Sequence, residues 1–394
     1  MLNAFRFSSP ARIEYGRGKL DLLKEEVRRF EARRPLIVCD AGIIDSGLLR
    51  QVEEQLADAF TSVDVFADIA SNPTDQNVTS GAETARQKKS DLVIAVGGGS
   101  VMDAAKAISM LVVNGGAVHD YFGYEKMQKP GLPLIAIPTT AGTGSEVTIW
   151  AVITDTRSEI PIKDSIGSTL ICPAVSLVDP CLTRSMPPAL TAYTGLDALS
   201  HAIEGYYALT ANPISDTLAL TAMGMIVNHL PRAVFNGDNL DARDHMLLGS
   251  LMAGMAFSNS DTAAVHSLGE AIGGMYDLHH GLVMGVLLPY VMDFNLMACP
   301  DRFAAMARAM NAASEGMPVA AAAGKAVETV AGLLRVLPVP TLRTLKVARE
   351  RFDALSDIAM HNLGTIDNPR KMTKQDFMTV LENAYHERFV GPPG

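Results

Sequence analysis

Asp197 and His201 stand four residues apart in the run Thr194-Gly-Leu-Asp-Ala-Leu-Ser-His-Ala-Ile-Glu-Gly-Tyr206. On a helix, positions i and i+4 share one face. A carboxylate and an imidazole side by side can hold a metal ion. Alone, the pair also reads as a buried histidine bonded to an aspartate. The stretch Val265–Gly281 adds His266, His279 and His280 to the account, three of the nine histidines. His266 and Glu270 are again four apart, whereas His266 and His280 are fourteen apart. Fourteen residues of unbroken helix rise about 21 Å, yet the ligands of one metal each sit about 2.1 Å from the ion. The helix must therefore break if both histidines bind. Gly273-Gly274 is expected to supply the break, with Asp277 and Gly281 suited to a turn and a new helix start. Asp197, His201, His266 and His280, drawn from three helical segments, would make a catalytic metal site. On ligand chemistry it suits Fe2+ and Zn2+ equally.

A second kind of chemistry is written earlier in the chain. The apolar run Asp91–Val96 reads as a strand that enters Gly97-Gly-Gly-Ser100, and a helix is expected from Val101 to about Leu111. Strand, glycines, helix is the arrangement that cradles a phosphate, because the backbone approaches the oxygens and the helix N-terminus offers free N–H groups. The motif is neither G-x-G-x-x-G nor Walker A. The strand Leu134–Ile137 leads into Thr139-Thr140-Ala-Gly142-Thr143-Gly144-Ser145, a second loop of hydroxyls and glycines. Two such loops on successive strand ends suit one dinucleotide at the carboxyl edge of a sheet. Asp40 closes the strand Pro35–Cys39. Its carboxylate would accept hydrogen bonds from both ribose hydroxyls and repel a 2′-phosphate, favouring NAD over NADP. The alternative role for Asp40 is a helix N-cap.

These motifs need elements to carry them. Ser62–Phe66, Ala151–Thr154 and Ala174–Val178 read as further strands, and Thr74–Lys88 and Ser46–Phe60 as helical. Alternating strands and helices predict an α/β domain with a mostly parallel sheet over residues 1–185. From Pro187 the periodicity is helical almost throughout, including the Ala-rich Val319–Leu334, so residues 186–394 are expected to form an all-helical metal-binding and substrate domain. The 394 residues carry a net charge of −10, from 33 basic and 43 acidic side chains, which argues against nucleic acid or an anionic membrane as partner. The four cysteines show no metal spacing and are expected to be reduced thiols of a cytoplasmic protein. The N-terminus lacks the pattern of a secretory signal, and no unbroken apolar run of transmembrane length is expected.

Taken together the motifs resemble the iron-dependent (group III) alcohol dehydrogenase family. The likeness spans essentially the whole chain: Gly97-Gly-Gly-Ser-x-x-Asp-x-x-Lys106, Pro138-Thr-Thr-x-Gly-Thr-Gly-Ser-Glu-Val147, Asp179-Pro180, Gly195-x-Asp-Ala-x-x-His-Ala-x-Glu204, Ala253-Gly-Met-Ala-Phe-Ser-Asn259, His280-Gly281 and Asn368-Pro-Arg370. The resemblance implies a Rossmann-like N-terminal domain and an all-α C-terminal domain, the dehydroquinate synthase-like architecture, with the active site in the cleft between. It places metal ligands on Asp197, His201, His266 and His280, and tips the metal towards Fe2+. It places NAD contacts on Asp40, Asn72, Gly98, Gly99, Ser100, Asp103, Thr139, Thr140, Thr143 and Lys163. The implied reaction is hydride transfer between NAD(H) and a primary alcohol/aldehyde pair, in a homodimer or higher homo-oligomer. A reductase of a functionalised aldehyde or keto acid is the alternative. Many members carry a second histidine four residues after the third ligand and a proline before the last His-Gly. Here those places hold Glu270 and His279, which become the candidates for proton transfer. Trp150 falls where members line the substrate pocket.

Overall fold

Six short segments pair into one parallel sheet: β1 (Arg12–Tyr15), β2 (Pro35–Val38), β3 (Asp64–Phe66), β4 (Leu92–Gly97), β6 (Leu134–Pro138) and β9 (Val175–Val178), in the order β1-β9-β6-β4-β2-β3. The remaining strands, β5 (Gly123–Tyr124), β7 (Trp150–Asp155) and β8 (Ile162–Gly167), form a smaller sheet in which β7 and β8 run antiparallel. This is a computed structural model, and it describes residues 4–60, 63–157 and 161–389. Ser62, at the head of one predicted strand, lies outside them.

The central strands are apolar at every position because both faces are covered. Leu36, Val38, Val93, Ala95, Leu134 and Ala136 pack on one side, beneath the helices Asp75–Lys88 and Gly99–Asn114. Ile37, Cys39, Ile94, Val96, Ile135 and Ile137 alternate with them onto the other side, against the helix Leu48–Leu56. Successive side chains of a strand point to opposite faces, so one run fills two cores. Each fully buried Ile or Leu contributes about 1.5–3 kcal/mol.

β2 pairs with β3 on one side and with β4 on the other. The strand order therefore reverses between β2 and β4, and such a switch point opens a crevice at the strands' carboxyl ends. Three strands went unread in the sequence. β5 has only two residues, while β1, at the edge of the large sheet, and β8, in the small sheet, carry the charged residues Arg12, Glu14, Lys163 and Asp164, so they lack the apolar run that marks a strand buried on both faces. β7 was expected beside the parallel strands but lies in the small sheet.

From Pro187 the chain is helical. It divides from the sheet-bearing unit Ser8–Met186, and residues 4–7 group with the helices. Pro188 sits at the first turn of the helix Pro188–Tyr207, where its missing N–H has no helical partner to lose. That helix is buried all round, with almost every residue from Thr191 to Tyr207 covered, as befits a central helix. Around it lie Pro213–Phe235, Leu240–Phe257 and His280–Asn295. Two helices, Pro213–Phe235 and His280–Ala298, are long and apolar enough to cross a membrane, which the search for an unbroken apolar run had not anticipated. The latter is a core helix, with 78% of its most apolar window buried. The former lays the stripe Ala219, Ala222, Met223, Ile226 and Leu230 on its neighbours.

Candidate functional site

The central helix presents Asp197, His201 and Glu204 on one face, at successive turns, and all three are buried. His201 is held flat against Phe257 of the next helix but one, with ring centroids 4.3 Å apart and planes 15° apart. His266 lies in the first turn of the helix Ala264–Tyr276 and is 4% exposed. Its ring centroid is 4.6 Å from that of His201 and 5.4 Å from that of His280.

The break that brings His280 back is not where the glycines predicted it. Gly273 and Gly274 lie inside the helix Ala264–Tyr276, which ends only at Asp277, in left-handed conformation with φ 49° and ψ 42°. A glycine in a helix interior costs about 1 kcal/mol and does not by itself end a helix. An aspartate tolerates the left-handed turn that does. His279 precedes the next helix, and His280 is its first residue. Gly281 then lets that helix approach the central one, since a Cβ there would lie 2.4 Å from the carbonyl oxygen of Tyr193 and 2.9 Å from Cβ of Asp197. His280 Nε2 consequently comes within 3.5 Å of Asp197 Oδ1.

One ligand atom from each of Asp197, His201, His266 and His280 lies within 4.8 Å of the others. Donors on one ion at bonds of about 2.1 Å are at most about 4.2 Å apart, so a small closure seats all four. His266 Nε2 is buried and has no hydrogen-bond partner among the described residues. Such an orphan costs about 1–3 kcal/mol, and a metal bond would satisfy it. The donor set and the orphaned nitrogen both fit a divalent transition metal. Burial alone would lower the pKa of His266, but the charge and hydrogen bond of Glu204, with the charges of Asp197 and Glu270, outweigh it and leave it raised.

The candidates for proton transfer lie beside this cluster in sequence. Glu270 is one turn beyond His266, and its Oε2 accepts from Asn362 Nδ2 at 2.5 Å. The ring of His279 lies 5.6 Å from that of Tyr193.

In the sheet-bearing unit, the expected nucleotide residues gather at the switch point. Asp40 follows β2, Gly98–Ser100 follow β4 and Thr139–Thr140 follow β6, three adjacent strands. The two glycine loops touch. A Cβ on Gly99 would lie 2.3 Å from Thr143 Cγ2, and one on Gly98 would lie 3.1 Å from the Thr140 side chain. Lys163 Nζ donates to Asn72 Oδ1 at 2.7 Å, and Ser100 Oγ donates to the Ser71 carbonyl. Asp40 also fills its alternative role, with Oδ1 accepting from Ile43 N at 2.9 Å to cap the helix Ala41–Asp45. Both oxygens of Asp103 bond to protein, accepting from Ser145 Oγ at 2.5 Å and Val152 N at 3.0 Å. Asp103 thus ties the second loop to the first helix. Trp150 lies across the small sheet, where a Cβ on Gly167 would be 2.1 Å from its ring, and it leans on Tyr124 at 5.8 Å between centroids.

Two residues had no assigned role in the sequence reading. Lys106 is buried, and its ammonium donates to Ser145 Oγ at 2.9 Å, Thr148 O at 3.0 Å, Thr148 Oγ1 at 3.1 Å and Trp150 O at 2.7 Å. The signal for it was a lysine among Ala104, Ala105, Ala107 and Ile108. Glu204 was the other, a carboxylate in an otherwise apolar turn. A further group, Asp75, His119 and Asp155, also brings ligand atoms within 4.8 Å. It already has its cation, because Arg157 donates to both oxygens of Asp155.

Known proteins share this arrangement. Residues 10–180 match the model of the iron-containing alcohol dehydrogenases, and residues 191–385 match the C-terminal domain of the same family. The chain is 38% identical over 379 residues to an NAD-dependent methanol dehydrogenase of Bacillus methanolicus, covering 96% of this chain and 99% of that one. It is 36% identical to a 1,3-propanediol dehydrogenase of Citrobacter freundii, over 94% of this chain and 96% of the relative. A solved 1,3-propanediol oxidoreductase superposes with a TM-score of 0.94 at 35% identity, covering 97% of this chain and all (100%) of that one. With both halves matched and relatives of this closeness along its length, the chain belongs to the iron-containing alcohol dehydrogenase family.

Proposed function

We propose that Asp197, His201, His266 and His280 hold ferrous iron, and that the protein moves hydride reversibly between NAD(H) and a primary alcohol/aldehyde pair. The observation that carries this reading is the meeting of four donor atoms within 4.8 Å in the helical unit of a family member. When bound, the metal supplies Lewis acidity to the substrate oxygen and the nicotinamide accepts or returns the hydride. The chain's own residues do the remainder. His201 and His266, packed on Phe257 and on each other, give the centre a rigid, mostly buried wall that keeps bulk water from the reacting atoms. Gly98, Gly99, Ser100, Thr139, Thr140 and Thr143 offer backbone and hydroxyl donors to the dinucleotide phosphates. Asp40, whose Oδ1 caps the helix Ala41–Asp45, would also accept from the ribose hydroxyls and repel a 2′-phosphate, which supports NAD as cofactor. Asn72 and Lys163, already bonded to each other, stand in the same cofactor set. Glu270 and His279 are the groups from which the alcohol proton is relayed.

The test is a panel of short alcohols and aldehydes followed by NADH absorbance, with metal content measured on the same preparation. Chelation is expected to abolish turnover, and anaerobic Fe2+ to restore it best. Restoration by Zn2+ alone overturns the iron assignment.

A further inference from the structure

We infer that Glu204 is a positioning residue: it fixes the tautomer and the aim of His266, and through them the affinity of the centre for its metal. The inference rests on the reading that His266 is a ligand. Glu204 is fully buried, at 0% exposure. A buried carboxylate carries a desolvation penalty of several kcal/mol unless donors surround it. Here they do. Oε1 accepts from Val265 N at 2.7 Å and from Tyr207 Oη at 3.3 Å, and Oε2 accepts from His266 N at 3.3 Å. Oε2 also meets His266 Nδ1.

The consequence follows from what each atom can do. An ionised carboxylate only accepts, so the proton of a neutral His266 must sit on Nδ1. Nε2 then keeps its lone pair, and Nε2 is the buried atom without a hydrogen-bond partner among the described residues. Glu204 therefore makes His266 a ligand before any metal arrives. The same carboxylate holds the backbone N–H groups of Val265 and His266, in the first turn of their helix. Those N–H groups have no helical acceptor, and the helix N-terminus favours a negative charge. Main chain and ring of one ligand are thus pinned by one side chain from the neighbouring helix. The negative charge also makes the imidazole a stronger donor to a cation.

Replacing Glu204 by glutamine keeps the shape and reverses the logic. An amide NH2 in the Oε2 position faces both the His266 N–H and Nδ1 and pushes the ring proton to Nε2, and the flipped amide instead sets its NH2 against the N–H of Val265. The experiment uses the full chain stripped of metal. Fe2+ and Co2+ affinities are measured by competition with a chelator for the wild type, Glu204→Gln, Glu204→Asp and His266→Ala. Far-ultraviolet circular dichroism and NADH fluorescence report the fold, and the Co2+ visible spectrum reports the ligand set. The expected result is metal affinity about 10–100-fold weaker in Glu204→Gln, with an altered Co2+ spectrum, unchanged helicity and unchanged NADH binding. Wild-type affinity in Glu204→Gln together with lost metal in His266→Ala overturns the inference and leaves Glu204 a helix cap. Wild-type affinity in His266→Ala overturns the ligand reading itself. Should Glu204→Gln fail to fold, Glu204→Asp decides. It keeps a carboxylate acceptor, so affinity nearer the wild type than that of His266→Ala supports the inference, and affinity equal to that of His266→Ala overturns it.

Discussion

Glu270 stands where the resemblance led us to expect a histidine, and it is our first candidate for the proton relay. It lies one turn beyond His266 and is held by Asn362 Nδ2 at 2.5 Å, a bond that orients the carboxylate. In a relay role, a carboxylate would accept a proton over a lower pH range than an imidazole. Glu270→Gln keeps the bond to Asn362 possible while removing the charge. We expect kcat for alcohol oxidation to fall at least about tenfold and the acidic limb of the pH–rate profile to disappear. If the profile is unchanged, His279 remains as the relay. At this scale the sequence was largely readable. The four side chains proposed as metal ligands, which the structure brings within 4.8 Å of one another, and the two glycine loops stood out by residue type and spacing, since metal chemistry admits few donor types and close phosphate approach demands glycine. Glu204, Lys106 and Asn362 were passed over because their roles consist of partners 61, 39 and 92 residues away.

At the scale of elements, the second glycine loop is fastened to the helix Gly99–Asn114 by a buried ionic knot. Lys106 donates into the loop from below, and Asp103 accepts from it at Ser145 and Val152. Glu146, in the turn Ser145–Val147, is buried within this knot, and its Oε1 has no hydrogen-bond partner among the described residues. Desolvation pushes its pKa up to about 7, against the opposing pull of its own backbone N–H and of Lys106. The folded state therefore binds a proton that the unfolded chain, near its ordinary value of 4.5, has released. Between about pH 4.5 and 7 the native state holds more protons, so this group's contribution to stability falls as pH rises. Glu146→Gln removes that slope. Chemical denaturation at pH 5 and pH 8 should show the variant losing less stability across the interval, with a difference on the order of 2–3 kcal/mol. An identical pH dependence in the two proteins would show that Glu146 is solvated. The elements themselves were readable where a period was clean. The buried strands β2, β4, β6 and β9 announced themselves as apolar runs. The strands β1 and β8 did not, because charged side chains interrupt both. The helix break was misplaced because Gly273-Gly274 permits a break, whereas only the left-handed turn at Asp277 makes one.

At the scale of the whole molecule, the two chemistries are built in different units. Every proposed metal ligand lies after Pro187, and every residue proposed to contact the nucleotide lies within Ser8–Met186. Chelation is therefore expected to abolish turnover while NADH still binds, with its Kd by fluorescence changed less than about threefold. Re-added metal at about 100 times its Kd should raise stability by about 2.7 kcal/mol, seen as a higher midpoint of thermal unfolding. A large loss of NADH binding on chelation would mean that the nucleotide unit depends on the metal. The amino-acid sequence by itself determined the kind of protein this is: an α/β half with two glycine-rich loops, a helical half, and one aspartate with three histidines. Those features are local, set by periodicity, glycine placement and donor type, and they survive without knowledge of which element packs on which. Only the tertiary structure decided how His266 and His280 meet, through a turn at Asp277 and the close approach at Gly281. It alone decided that Asp103 braces a loop, and that Glu204 holds the ring of His266. Those outcomes depend on side chains brought together by packing from distant parts of the chain, and no spacing along the sequence encodes a distance across the core.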